Sequence, residues 1–180
     1  LLDLVQLPLS LYDQRLLADG TIARLKSQGC SVHARSLYLQ GLLLTSSKSW
    51  PTWIDSQARQ HHARLEHFAK LRSVSLLDCA LGFAYDQEDV EAVVIGLCSY
   101  RELQQLLATW GQTYPWQTAE WNSWCIHNSA IIDPRCWQQL KKHKAAYSAL
   151  QTFNSNYQLT NRRQMATYKI HPSSANVRQL

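Results

Sequence analysis

The stretch SVHARSLYLQGLLL, residues 31–44, decides the fold class of this 180-residue chain. It runs apolar and polar residues together and ends in a glycine followed by three leucines. Its first nine residues have strand character, and they follow an earlier apolar segment, residues 3–11, by about 30 residues. The segment between them, LYDQRLLADGTIARLKSQG, indicates helix, with a break or second start at Gly20 and a C-cap at Gly29. Strand, helix and strand at this spacing predict a βαβ unit with parallel strands.

The following segments continue the alternation of helix and strand. A helix over residues 58–72 is capped by Asp55 or Ser56, and Ser75 begins a capping-box pattern for the helix after it. EAVVIGL, residues 91–97, is a solid apolar run of the kind found in parallel sheets. Three parallel strands leave two unpaired edges, which soluble proteins normally avoid. The pattern therefore predicts an α/β section of a larger sheet or barrel.

Composition indicates a globular protein without a membrane span. Hydrophobic residues make up 46% of the chain and charged residues 17%, and no apolar run approaches the roughly 18 residues that cross a bilayer. The five cysteines form no CxxC motif, so we expect reduced thiols in a cytoplasmic protein. Because Met165 is the only methionine, we expect the chain to be the back part of something longer.

Charge and glycine content change sharply near residue 134. The first 133 residues contain ten Lys/Arg and thirteen Asp/Glu, whereas the remainder contains eight Lys/Arg, no acid and no glycine. We therefore predict two parts, residues 1–137 and a basic tail over 138–180 with one helix followed by an irregular segment. A basic arm can bind nucleic acid, but the abrupt change favours an appended segment, and we do not expect a nucleic-acid partner.

Common chemical motifs are absent from the sequence. It contains no GxxxxGK[ST], GxGxxG or GxSxG pattern. HHARLEH, residues 61–67, could place two metal ligands on one helical face, but no third ligand suggests itself. We expect this segment to be a solvated helix face and predict no metal site. Six of the seven tryptophans are not interleaved with basic residues, so we expect them to pack against a domain edge instead of stacking on bases: Trp50, Trp53, Trp116, Trp121, Trp124 and Trp137.

Two glycines follow predicted strands. Ligands of parallel α/β folds bind beyond the carboxyl ends of the strands, and Gly41 and Gly96 lie just past two such ends. Glycine there lets the backbone approach a phosphate closely. Taken alone this is a weak signal, because glycine after a strand more often marks only a turn.

Several segments together resemble the aldo-keto reductase family. VQLPLSLYDQRLL is similar to the family's sixth strand and its loop, which often read "vQ..ysllDR". SVHARSLYLQGLLL is similar to the seventh, "I.v.aySPL..GlL", and LLDCALGFAYDQEDVEAVVIGLCSYRELQQL to the segment "LALaw" followed by "vivG.s..eqL.En". The matches occur in the family's order over about residues 1–110, and IIDPRCW is similar to its usual ending. The resemblance implies strands six to eight of a (β/α)8 TIM barrel.

The resemblance implies a carbonyl reductase that takes hydride from NADP in its reduced form. By position, Gln6 would bind the nicotinamide carboxamide, and Arg35 stands where many members place an aromatic ring. The residues implied along the pyrophosphate are Ser36, Leu37 and Gly41. Those implied around the adenosine are Gly96, Cys98, Ser99 and Gln105. No Lys precedes Ser99 here, and Arg101 is a possible partner for a 2′-phosphate.

The family's catalytic Asp, Tyr, Lys and His come from the first half of the barrel, and the tyrosine motif occurs nowhere in this chain. We therefore assign no catalytic residue and expect the chain to need a separate N-terminal half-barrel, which would help to bind a small carbonyl substrate. One alternative is a non-enzymatic nucleotide-binding or interaction remnant that pairs its open sheet with a partner chain. Another is an adapter that acts through the basic tail.

Overall fold

The computed structural model describes residues 2–110 and 118–138 of the chain. Its centre is a three-stranded parallel sheet in the order β1–β2–β3. The strands are β1 (Leu4–Pro8), β2 (Ser31–Arg35) and β3 (Ala92–Val94). The predicted mixed α/β class, with parallel strands separated by helices, is confirmed.

Seven helices are described around this sheet. They are α1 (Arg15–Ala18), α2 (Thr21–Ser27), α3 (Ser56–Leu71), α4 (Leu76–Tyr85), α5 (Tyr100–Thr109), α6 (Thr118–Asn122) and α7 (Ser129–Ile132). Short 3₁₀ turns occupy Leu42–Leu44, Ser47–Ser49 and Pro134–Cys136.

The strands are shorter than the apolar runs that predicted them. Pro8 ends β1, as expected for a residue that cannot donate to a central ladder. β2 ends at Arg35 because Ser36 takes a left-handed backbone conformation with φ of 64°, which turns the chain out of the ladder. The expectation that strand structure continues to residue 39 is therefore wrong, and Gly41 lies six residues beyond β2.

Local signals at the helix ends behave as predicted. Gly20 and Gly29 have φ of 72° and 77°, separating α1 from α2 and following the end of α2. Asp55 caps α3 by accepting a hydrogen bond from the Ala58 N–H. Ser75 and Asp78 form the predicted capping box of α4. These bonds satisfy backbone donors that a helix start leaves without intrahelical partners.

The two faces of the sheet differ in burial. The face that packs against the hydrophobic core consists of Val5, Leu7, Val32, Ala34 and Val93. The register places the alternate residues on the opposite face: Leu4, Gln6, Pro8, Ser31, His33, Arg35, Ala92 and Val94. None of these eight is buried by the described residues, so we call this second surface the open face.

Two of the tryptophans belong to the interior of the core. Trp50 and Trp121 are buried, so the expectation that the tryptophans pack against a domain edge is wrong for them. Each indole N–H finds an acceptor: Trp50 donates to the Leu42 carbonyl at 2.9 Å, and Trp121 to the Asp86 carboxylate at 2.6 Å. Satisfying the N–H removes the main cost of burying an indole.

No helix in the described part of the chain is long and apolar enough to cross a membrane. The predicted basic tail lies outside the described residues, apart from residue 138.

Candidate functional site

A cleft of about 620 Å³ lies at the carboxyl ends of β2 and β3. One wall is the loop that follows β2, and the other is formed by the end of β3 and the start of α5. The lining residues are Ser36, Leu37, Tyr38, Gln40, Gly41, Leu44, Leu77, Val94, Ile95, Gly96, Leu97, Cys98, Glu102, Gln105 and Leu106. This is the edge of a parallel sheet at which α/β folds bind ligands.

The loop after β2 has a strained backbone. Leu39, Gln40 and Gly41 are consecutive left-handed residues with φ of 47°, 56° and 84°, and Ser36 at the start of the loop is left-handed as well. Such conformations cost free energy for residues with a Cβ, and they persist where surrounding contacts hold them. Strain of this kind concentrates at binding sites, which makes this wall a candidate for ligand contact.

Helix α3 holds the far end of this loop through Arg59. The Arg59 guanidinium donates to the carbonyl groups of Ser47 and Trp50, at 3.0 and 2.9 Å, and to that of Pro51 at 3.0 Å. Two turns further along the helix, the Glu66 carboxylate accepts a hydrogen bond from the Ser47 hydroxyl at 2.5 Å. We call these contacts, together with those of His62, the α3 latch.

His62 is the buried centre of the α3 latch. Its Nε2 lies 2.8 Å from the Thr45 carbonyl oxygen, which can only accept, so Nε2 carries the proton. Nδ1 therefore accepts from the Tyr12 hydroxyl at 2.5 Å, and the ring stacks on Trp50 with centroids 4.4 Å apart. Burial lowers the pKa of His62, opposed by its bond to Thr45 and by the Glu66 charge. Burial thus favours the neutral form of the imidazole.

The HHARLEH segment differs from its prediction at this position. A solvated helix face was expected, but His62 is completely buried, so the expectation is wrong there. The helix turns His62 toward the β2 loop, where two polar partners offset the cost of burial. Among the described residues, no group of three or more His, Cys, Asp or Glu side chains is placed to hold a metal ion.

The second wall ends in a capped helix. The Ser99 hydroxyl caps α5 by accepting a hydrogen bond from the Glu102 N–H at 3.2 Å. The Glu102 carboxylate reaches back and accepts from the Cys98 N–H at 2.7 Å. A negative group at a helix N-terminus is favoured by the helix dipole. Two backbone donors at this end of the cleft are therefore engaged within the chain.

The charges around the cleft are unevenly placed. Glu102 is the charged member of the described lining. Arg35 borders the other wall, where its Nη1 lies 3.2 Å from the Ser36 hydroxyl. In the sheet register Arg35 is also the partner of Val94, a lining residue. The β2 wall thus carries positive charge and the α5 wall negative charge.

Tyr38 contributes a hydroxyl group shielded from solvent. Among the described residues, this hydroxyl has no hydrogen-bond partner, and desolvation raises the pKa of Tyr38 to about 12. A buried donor without an acceptor costs about 1–3 kcal/mol. Tyr38 lines the cleft through its other atoms, because a hydroxyl oxygen closed to a water molecule is also closed to a bound ligand.

The structure brings most of the predicted cofactor residues together. The six that line the cleft are Ser36, Leu37, Gly41, Gly96, Cys98 and Gln105. Arg35 borders it, and Ser99 caps the helix between Cys98 and Glu102. Gln6 lies apart on the open face, in register with His33 of β2.

Glu102 and Tyr38 are lining residues that the sequence reasoning did not select. The S-x-x-E spacing from Ser99 to Glu102 is a capping-box signal and could have placed Glu102 at the start of α5. No sequence signal identifies Tyr38, because the burial of its hydroxyl depends on the left-handed turn of the loop around it.

The dimensions of the cleft fit an extended organic ligand. Its volume falls within the roughly 300–1,000 Å³ typical of small-molecule and cofactor sites. A Cβ added at Gly41 or Gly96 would meet no atom within 4 Å, so both glycines border open space. The cleft therefore has room for a small organic ligand between its two walls.

Comparison of this chain with protein-family models and with curated proteins found no match.

Proposed function

We propose that this chain is the C-terminal part of an aldo-keto reductase barrel and contributes part of its nicotinamide dinucleotide site. The observation that carries the proposal is the cleft at the carboxyl ends of β2 and β3, which gathers six of the nine residues that the resemblance implies for cofactor binding. Those residues come from two segments about 55 positions apart in the chain.

The open face supports the barrel. In a (β/α)8 barrel, helices cover the outer face of the sheet while the inner face packs against side chains from the other strands. Here α-helices and the core cover one face, and the opposite face contains Leu4 and Val94, which are 46% and 44% exposed. β1 and β3 are the outer strands of the described sheet. This arrangement is expected of strands six to eight separated from strands one to five.

When bound, the reduced dinucleotide would supply the hydride for reduction of a carbonyl. The residues of this chain would bind and orient it, and the Arg35 guanidinium offers positive charge beside Ser36. Gln6 lies on the open face, where the resemblance implies contact with the nicotinamide. Proton transfer to the carbonyl oxygen belongs to the first half of the barrel, so we expect no reductase activity from this chain alone.

NADH titration of the 15N-labelled chain tests the proposal. We expect the largest amide shifts at Gly41, Gly96 and Cys98, since they line the cleft. The Gly29 amide, which precedes β2 at the opposite end of the sheet, is the internal control and should not shift. Absence of shifts at the cleft glycines at millimolar NADH, or shifts spread equally to Gly29, would contradict dinucleotide binding.

The second candidate is an interaction module that pairs its open face with a partner chain. The exposed Leu4 and Val94 favour it, because exposed apolar patches mark interaction sites. This candidate predicts association without any response of the cleft amides to NADH, and the same titration separates the two functions.

A further inference from the structure

We infer that the cleft selects a dinucleotide with a free 2′-hydroxyl, NAD, over the 2′-phosphorylated form, NADP, and that Glu102 is the residue that determines this selectivity. The inference rests on the proposed function, since it concerns how the same cleft binds the adenosine ribose. It departs from the NADP preference that the family resemblance implies.

The first argument concerns the donors at the start of α5. A phosphate at a helix N-terminus is bound by exposed backbone N–H groups and by the helix dipole. In this chain the Cys98 N–H donates to the Glu102 carboxylate at 2.7 Å, and the Glu102 N–H donates to the Ser99 hydroxyl at 3.2 Å. The carboxylate itself interacts favourably with the dipole. A phosphate would have to displace it from these interactions.

The second argument concerns charge. A 2′-phosphate carries up to two negative charges and needs basic partners, whereas a ribose 2′-hydroxyl is well matched by a carboxylate acceptor. The described lining of the cleft contains Glu102 and no Lys, Arg or His. Placing a phosphate beside the exposed Glu102 would set like charges together, a repulsion that water and salt screen.

The distribution of basic residues agrees with this assignment. Arg35 lies beside Ser36 on the β2 wall, where it can serve the pyrophosphate that both dinucleotides share. Arg101 is the basic residue next to Glu102 on α5, but it is exposed and does not line the cleft. Arg101 is the one group near Glu102 on this helix that could still reach a 2′-phosphate, so it belongs in the test.

The experiment compares the dissociation constants of NADH and NADPH for the full 180-residue chain and for three variants. We expect the unmodified chain to bind NADH roughly tenfold more tightly than NADPH, equivalent to about 1.4 kcal/mol. Glu102→Gln can still accept from the Cys98 N–H but removes the charge, and it should reduce that ratio at least threefold. Glu88→Gln, an exposed change of equal charge before β3, should leave the ratio unchanged, as should Arg101→Gln.

The outcomes separate this inference from the proposed function. NADPH binding as tight as NADH binding, or a selective loss of NADPH affinity in Arg101→Gln, would overturn the inference and leave dinucleotide binding intact. An unchanged ratio in Glu102→Gln, with thermal unfolding showing an intact fold, would also overturn it. Failure of both dinucleotides to bind would overturn the proposed function and this inference with it.

Discussion

At the scale of single residues, two glycines on the cleft make different demands on the backbone. Gly41 has φ of 84°, a conformation that side chains with a Cβ rarely adopt, whereas Gly96 is not left-handed. Neither would bring a new Cβ within 4 Å of another atom. If Gly41→Ala and Gly96→Ala differ in their free energy of unfolding, the difference therefore measures backbone strain and not steric contact.

We predict that Gly41→Ala lowers the free energy of unfolding by about 1 kcal/mol, and that Gly96→Ala leaves it unchanged or slightly raised. Urea unfolding followed by circular dichroism measures both. The larger variant Gly96→Val should weaken NADH binding while folding normally, because its side chain would enter the cleft. Equal losses of stability in the two alanine variants would contradict the assigned role of the left-handed turn.

His62 provides a second prediction at this scale, and it concerns pH. Its pKa in the folded state is lowered below the ordinary 6.5, first by burial, so near pH 6 the unfolded chain binds more protons at this site than the folded chain does. Stability must then rise with pH across this window and fall as the pH drops below about 6.5. Carboxylates with lowered pKa values act separately, at more acidic pH.

The measurement is the free energy of unfolding at several pH values between about 7.5 and 5.5. We expect a decrease toward acid pH that is smaller in His62→Gln, which keeps a donor and an acceptor but cannot be protonated. His67→Gln, a change at an exposed position of the same helix, is the matched control. An identical pH slope in the native chain and His62→Gln would disprove the buried neutral state of His62.

At the scale of elements, α3 holds the far end of the loop that follows β2. The single Arg59 side chain donates to three carbonyl groups, those of Ser47, Trp50 and Pro51. Hydrogen bonds from a charged donor contribute roughly 1.5–3 kcal/mol each at most, and those from partly exposed groups less. The combined effect should be a local stabilisation of the loop and not of the sheet.

We predict that Arg59→Met increases amide hydrogen exchange across residues 42–50 while leaving α4 protected. Native-state exchange followed by mass spectrometry distinguishes local opening of the loop from global unfolding. Arg64→Met, an exposed change on the same helix away from the loop, is the control. Faster exchange throughout α4 in Arg59→Met would show that Arg59 stabilises the whole molecule, which contradicts the local role assigned to the α3 latch.

Elements whose signals are local were predictable from the sequence. The capping boxes, the glycines at the ends of α2 and the parallel order of the strands depend on residues within one or two turns, or on a repeated pattern of apolar runs. The end of β2 was not predictable, because the left-handed Ser36 has no sequence signature. The burial of His62 was missed for another reason: its partner Tyr12 lies 50 residues earlier in the chain.

The sequence predicted where the candidate site lies but not which charged side chains line it. Gly41 and Gly96 follow the strands, and parallel topology alone brings their segments to one edge of the sheet. Which side chains of the β2 loop line the cleft depends on the loop's conformation, so Tyr38 was identified only in the structure, whereas the Ser99–Glu102 spacing could have indicated Glu102. The resemblance implied that the α5 end of the cleft binds a phosphate, whereas the structure places the Glu102 carboxylate there.

At the scale of the whole molecule, the sheet is asymmetric. Its core face is covered by hydrophobic residues and helices, and its open face presents apolar side chains with Gln6, His33 and Arg35 among them. Two strand edges bordering such a face form a surface that favours pairing with another chain. Both the partial barrel and the interaction module require this face to be covered by some partner.

We predict that the 180-residue chain self-associates through the open face when no partner is supplied. Its weight-average mass in sedimentation equilibrium should exceed 20.7 kDa and rise with concentration. The double variant Leu4→Ser, Val94→Ser should return the mass toward that of the monomer, since both side chains lie on this face. Leu71→Ser is the matched control, because Leu71 is 70% exposed but belongs to α3, which packs against the core. If the native chain is monomeric at all concentrations, or if Leu71→Ser lowers the mass as much as the double variant does, the open face does not mediate association.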